Sequence, residues 1–144
     1  MSNCQNNRID LLLPSGSLWT PTFNNYTGNT LTASGYYQRI GKSLALYASI
    51  YGTGTGSSGG SFQINLPIAS ITVAAGSYPG VTLFRETVDK TSYSAVLLAG
   101  GWNYLKFADS SSPTSAIAGS AFGDAVNQYS RISISVLLPI TEWQ

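Results

Sequence analysis

Between Ser43 and Tyr51 the chain reads SLALYASIY. Leu44, Leu46, Ala48 and Ile50 fall on one side of an extended backbone, and Ala45, Tyr47, Ser49 and Tyr51 on the other. The same period returns in SFQINLP, where Phe62, Ile64 and Leu66 alternate with Gln63 and Asn65, and in SRISISVLLPI, where Ile132, Ile134 and Val136 alternate with Ser133 and Ser135. A helix would scatter these side chains around its circumference, whereas a strand collects them on one buried face.

Further strand candidates are RIDLLLP, YYQRIG, SITVAA, GVTLFRE, TSYSAVLLAG and WNYLKFAD. Turn signals separate them at short intervals: Ser77 to Gly80, Asp89-Lys90, Gly100-Gly101 and the cluster around Pro113. Many short strands at this spacing predict an all-β, antiparallel sandwich or barrel. The only helical candidate, SAIAGSAFGDAV, is weakened by two glycines, so Asp109 to Gln128 is expected to be a long surface connection with at most a turn of helix. The run GTGTGSSGG lies between two alternating segments and is expected to close a hairpin. Nothing from Gly52 to Gly60 offers a charge or an aromatic face to hold a ligand, which points to a mobile tip.

The chain is long enough at 144 residues for one domain with a real core. Only 9% of it is charged, against about 25% in an ordinary soluble domain, and the formal net charge is +1. No run of Lys or Arg exists, which argues against nucleic acid and anionic membranes as partners. The first residues lack the basic start and apolar core of a signal peptide, and no apolar run approaches the roughly 18 residues of a membrane span. Cys4 is the single cysteine, so no intrachain disulfide forms.

Chemistry is sparse. The absence of histidine removes the commonest general base and metal ligand, and no metal or cofactor site is expected. Gly41-Lys42-Ser43 has the tail of a phosphate-binding loop, but five residues rather than four separate Gly35 from Gly41, and Ser43 opens a strand where that loop opens a helix. A tight turn is the simpler reading. The six carboxylates (Asp10, Glu86, Asp89, Asp109, Asp124 and Glu142) show no spacing that forces a pair together, although a glycosidase needs only one pair that the fold could supply. The expectation is a protein that is not an enzyme.

The aromatic residues, nine Tyr, five Phe and three Trp, say more. Trp19, Phe62 and Phe84 lie inside strand patterns and read as core or subunit interface. Trp102 and Tyr78 sit at loop edges, where core anchoring and ligand contact are both open to them. If a glycan binds, the candidate residues are Trp102 and Tyr78 for stacking, with Asn103 and Asp109 for hydroxyl groups, because all four lie beside predicted turns.

LWTPTF, followed by YYQRIGKSLALYASIYGTGTGSSGGSFQINLPI, resembles a recurring module of bacteriophage tail-fibre, tail-spike and receptor-binding tip proteins. The shared pattern is a Trp-Thr-Pro lead-in (Trp19 to Pro21), an aromatic-to-glycine turn (Tyr36 to Gly41), a long alternating strand (Leu44 to Tyr51), a Gly/Thr/Ser hairpin (Gly52 to Gly60), and a strand ending in Leu-Pro (Phe62 to Pro67). It covers about a third of the chain and consists of strands and turns, not catalytic residues. The resemblance implies a jelly-roll-like β-sandwich, residues 17–144, behind an N-terminal lead or attachment segment, 1–16. It implies a homotrimer on the virion, synthesised in the host cytoplasm, contacting other virion proteins and a host surface glycan or protein. Ile9 to Leu13 is the candidate threefold contact. Two other functions remain in play: a capsid or tail decoration protein without host binding, which the short lead from Met1 suits, and a glycan-degrading spike.

Overall fold

The computed structural model describes residues 16–26, 30–54, 56–57, 59–85, 90–123 and 128–144. Its nine strands are β1 (Ser17–Trp19), β2 (Phe23–Asn24), β3 (Thr30–Ile40), β4 (Ser43–Thr53), β5 (Gln63–Asn65), β6 (Gly76–Arg85), β7 (Thr91–Ala99), β8 (Tyr104–Asp109) and β9 (Arg131–Pro139). They form one antiparallel sheet in the order β1-β3-β4-β9-β6-β7-β8-β5-β2. The two edge strands, β1 and β2, are separated in sequence only by residues 20–22. An extended chain from Trp19 to Phe23 reaches about 14 Å at most, so the sheet must curl until its edges approach. The result is an open half-barrel.

Curling turns one face of every strand inward. Leu44, Leu46, Ala48 and Ile50 of β4 meet Leu138, Val136, Ile134 and Ile132 of β9 across the ladder, and all are buried. Ile64, Val81, Leu83, Leu97, Leu105 and Phe107 complete the wall. Ser133 and Ser135 face outward and are exposed, as the alternation requires. Ala45 departs from it: on the outer side it is nevertheless buried, a small side chain in register between Gln38 and Leu137. β3 and β4 join through the expected tight turn at Gly41-Lys42. β6, β7 and β8 run as a meander, and β9 returns through residues 110–130 to lie beside β6, which is Greek-key order.

The Gly/Ser/Thr run does not close a hairpin. β4 pairs with β3 and β9, while β5 pairs with β8 and β2, so this segment crosses the mouth of the half-barrel between strands that never touch. Nor is it a mobile tip where it is described. Gly56 is buried, with its N–H and C=O both bonded to the Gln128 side chain, at 3.3 and 2.9 Å. A Cβ on Gly56 would overlap the carbonyl oxygen of Phe122, so only glycine fits this approach of backbone to backbone. Gly60 O accepts from Gly119 N at 2.9 Å, and Ser61 bridges Ala118.

Of the expected surface connection from Asp109 to Gln128, Ser110 to Ser115 are exposed, but Gly119, Phe122, Gly123 and Gln128 are buried against this crossing. Tyr129 and Ser130 are buried too, and Phe122 stacks on Phe62 with ring centroids 4.2 Å apart. Phe62 also meets Phe23, Tyr26 and Phe107, so an aromatic plug fills this end of the core. The expected helix shrinks to a 3-10 turn at Gly119–Ala121. SITVAA forms no strand; Val73 alone bridges Ile140. Phe84 points outward opposite Arg131 and stays half-buried. RIDLLLP, the threefold-contact candidate Ile9 to Leu13, and Cys4 lie outside the described residues.

Candidate functional site

The outer surface of the curled sheet carries two chemically different areas on either side of its seam. The first lies on β8, β5 and β2. Gly100 to Asn103 bend the chain into β8, where Tyr104 and Lys106 share one side by alternation, and the bend folds Trp102 onto that same side. The Trp102 and Tyr104 rings stack almost parallel, 7° apart with centroids at 5.0 Å, and Lys106 Nζ stands 4.8 Å from the Trp102 centroid. Gly100 gives the indole its seat: a Cβ there would stand 2.5 Å from the ring. All three side chains are half-buried, their bodies packed and their polar ends reachable.

Across the ladder, Lys106 faces Gln63, which faces Asn24, and Tyr104 faces Asn65. These amides bond among themselves. Asn24 Nδ2 donates to Gln63 Oε1 at 3.2 Å and to Asn65 Oδ1 at 3.0 Å, while Asn65 Nδ2 donates to Thr22 Oγ1 at 2.9 Å. Mutual bonding fixes the amide orientations and commits Gln63 Oε1, which leaves Gln63 Nε2 as an outward donor. A flat aromatic pair beside oriented amides can take the apolar face and the hydroxyls of a sugar ring together.

Of the four residues singled out in the sequence, only Trp102 belongs to this area; Asn103 follows it in the chain, is exposed, and accepts from Leu66 N through its backbone oxygen at 3.1 Å. Tyr78 is on the inner side of β6, packed against the core, and its phenol donates to Ala74 O at 2.6 Å; burial raises its pKa. Asp109 ends β8, about 20 Å along the chain from Trp102. Its Oδ1 accepts from Ser111 N at 2.9 Å and Ser111 Oγ at 2.8 Å, bonds that hold its pKa below the usual carboxylate value. It closes a turn. The residues missed were Tyr104, Lys106, Gln63, Asn65 and Asn24. Part of the signal was alternation, since Tyr104 and Lys106 share one face of β8.

The second area covers the outside of β1, β3, β4 and β9. The exposed large apolar side chains among the described residues, Leu18 at 89%, Leu137 at 55%, Ile40 and Tyr36, all lie on these strands with the same outward parity. Tyr36 stacks on Tyr47 with centroids 4.6 Å apart, and the two rings with Leu18, Ser34 and Ser49 line a groove of ≈ 360 Å³. Its polar groups are hydroxyls alone. A nearly naked leucine at the rim of the groove suits contact with another protein better than contact with a sugar.

Among the described residues no cluster of three or more potential metal ligands occurs, and no helix is long and apolar enough to cross a membrane. No family model matches the chain, and no curated protein or solved structure matches it significantly.

Proposed function

We propose that this chain is an adhesion protein of a virus particle, a bacteriophage tail-fibre or receptor-binding tip that holds a host surface glycan on the Trp102 face. In this reading the curled sheet works as a jelly-roll-like sandwich within a homotrimer. The observation that carries it is the division of the outer surface: apolar side chains gather on β1, β3, β4 and β9, whereas stacked rings and oriented amides gather on β8, β5 and β2. A protein that must both assemble and recognise needs two such surfaces. The Trp-Thr-Pro lead-in, the turn before β4 and the alternating β4 support the virion context, while the hairpin of that pattern is replaced here by the crossing segment. A decoration protein without host binding is the second reading, favoured by the exposed Leu18 and Leu137, which need only another virion protein to cover them.

A printed array of bacterial surface polysaccharides separates the two. The wild-type protein is expected to bind a subset of spots, and Trp102→Ala and Tyr104→Ala, each verified as folded by circular dichroism, are expected to lose at least about tenfold in affinity, since a stacked ring contributes on the order of 1.5 kcal/mol. Wild-type binding to no spot favours the decoration role. Full binding by both folded variants removes this face as the site.

A further inference from the structure

Lys106 is the cation of the Trp102 face, and it has no carboxylate partner among the described residues. The two described side-chain carboxylates are engaged elsewhere, Asp109 by Ser111 and Glu142 by the N–H and hydroxyl of Thr72. Its ammonium rests instead against the Trp102 ring. Gln63 stands directly opposite Lys106 in the β5–β8 register, and directly opposed residues of an antiparallel pair have Cβ atoms about 5 Å apart. Gln63 Oε1 is taken by Asn24, so Gln63 presents its Nε2 as a donor. Two donors, one charged and one neutral, therefore stand side by side next to a stacked aromatic pair. The flexible lysine stem lets the ammonium leave the indole for a better acceptor without disturbing the strand.

From this arrangement we infer that the Trp102 face selects an acidic saccharide, one whose sugar ring bears a carboxylate. The inference rests on reading this face as a saccharide site and adds the charge of the ligand to it. The carboxylate lies between Lys106 Nζ and Gln63 Nε2, the apolar face of the ring covers the Trp102–Tyr104 pair, and Asn24 and Asn65 accept or donate to hydroxyl groups toward the sheet edge. A neutral hexose would use the rings and amides and leave the ammonium unpaired. Lys106 thus sets specificity, while Trp102 and Tyr104 supply most of the contact area.

The test prints each polysaccharide of the array twice, native and after chemical reduction of its carboxyl groups to alcohols. Spots bound by the wild-type protein are expected to be uronate-bearing, to lose about tenfold in affinity on carboxyl reduction, and to weaken in high salt, as loss of a charge-assisted hydrogen bond implies. Lys106→Met, which keeps the apolar stem, is expected to bind native and reduced forms alike. If bound spots keep their affinity after reduction, or if folded Lys106→Met still discriminates, the charge inference is overturned while the saccharide site stands. If no spot is bound in either form, both fall. Should Lys106→Met fail to fold, the reduction and salt comparisons on the wild-type protein decide the question.

Discussion

Gln128 is the joint that ties the crossing Gly/Ser/Thr run to the chain before β9, and replacing it with alanine is the sharpest test of how that crossing is held. The side chain is buried and hydrogen-bonded to backbone: Oε1 accepts from Gly56 N at 3.3 Å, and Nε2 donates to Gly56 O at 2.9 Å and to Ser120 O at 2.8 Å. Only this amide orientation satisfies one donor and two acceptors. Gln128→Ala strands the N–H and C=O of buried Gly56, and a buried polar group left without a partner costs about 1–3 kcal/mol, whereas Ser120 is exposed and turns to water. Taking the long Gly56 N bond at the low end, the sum is about 3 kcal/mol. That is a large share of the roughly 5–15 kcal/mol of an ordinary domain, and lowers Tm by about 9 °C. Gln128→Glu is expected to be at least as damaging at neutral pH, because a carboxylate would confront the carbonyls of Gly56 and Ser120. Gln63→Ala is the control: the same residue type on the outer face, accepting a bond from Asn24 at an exposed position, for which about 0.5 kcal/mol is expected. Urea unfolding followed by tryptophan fluorescence measures all three. A loss below about 1 kcal/mol for Gln128→Ala, or wild-type stability for Gln128→Glu, would refute the clamp.

Two further outcomes follow from the faces of the sheet. Light scattering at micromolar concentration is expected to return three chain masses, and a Leu18→Lys/Leu137→Lys double variant is expected to return one; a wild-type protein of single-chain mass ends the trimer proposal. Ile134→Asp is expected to abolish soluble folded protein by placing an unpaired charge in the core, whereas Ser133→Asp, one residue away and exposed, is expected to change stability by less than about 1 kcal/mol. Equal damage at the two positions would mean that β9 is covered on both sides.

A deletion from Thr55 to Ser58 would look harmless if the Gly/Ser/Thr run closed a hairpin, because loop-closure entropy changes slowly with length. The structure reverses that expectation. The deletion removes Gly56, and with it the contact that ties the crossing segment to Gln128 and Phe122.

Alternation is a local property: each residue's side is fixed by its neighbours and by whether it dissolves in water or in the core. For that reason the inward set of β4, β5 and β9 was legible in the sequence, down to Ile134 inside and Ser133 outside, and so was the antiparallel, all-β character of the chain. Partner choice is not local. GTGTGSSGG is equally compatible with a two-strand hairpin and with a crossing from one part of a sheet to another, since glycine and serine impose neither turn nor register. Only the curled sheet, with β9 inserted between β4 and β6, separates β4 from β5 and sends the run across the mouth. The same holds for Phe122, whose flanking glycines and small residues read as surface until Phe62 is there to stack on it. The Trp102 face combines both cases. Tyr104 and Lys106 share a side by periodicity alone, but Trp102 joins them through the bend before β8, and the amides that complete the face arrive from β5 and β2, at a sequence distance that no local pattern spans, because hydrogen bonding between strands joins residues that only the folded chain makes neighbours.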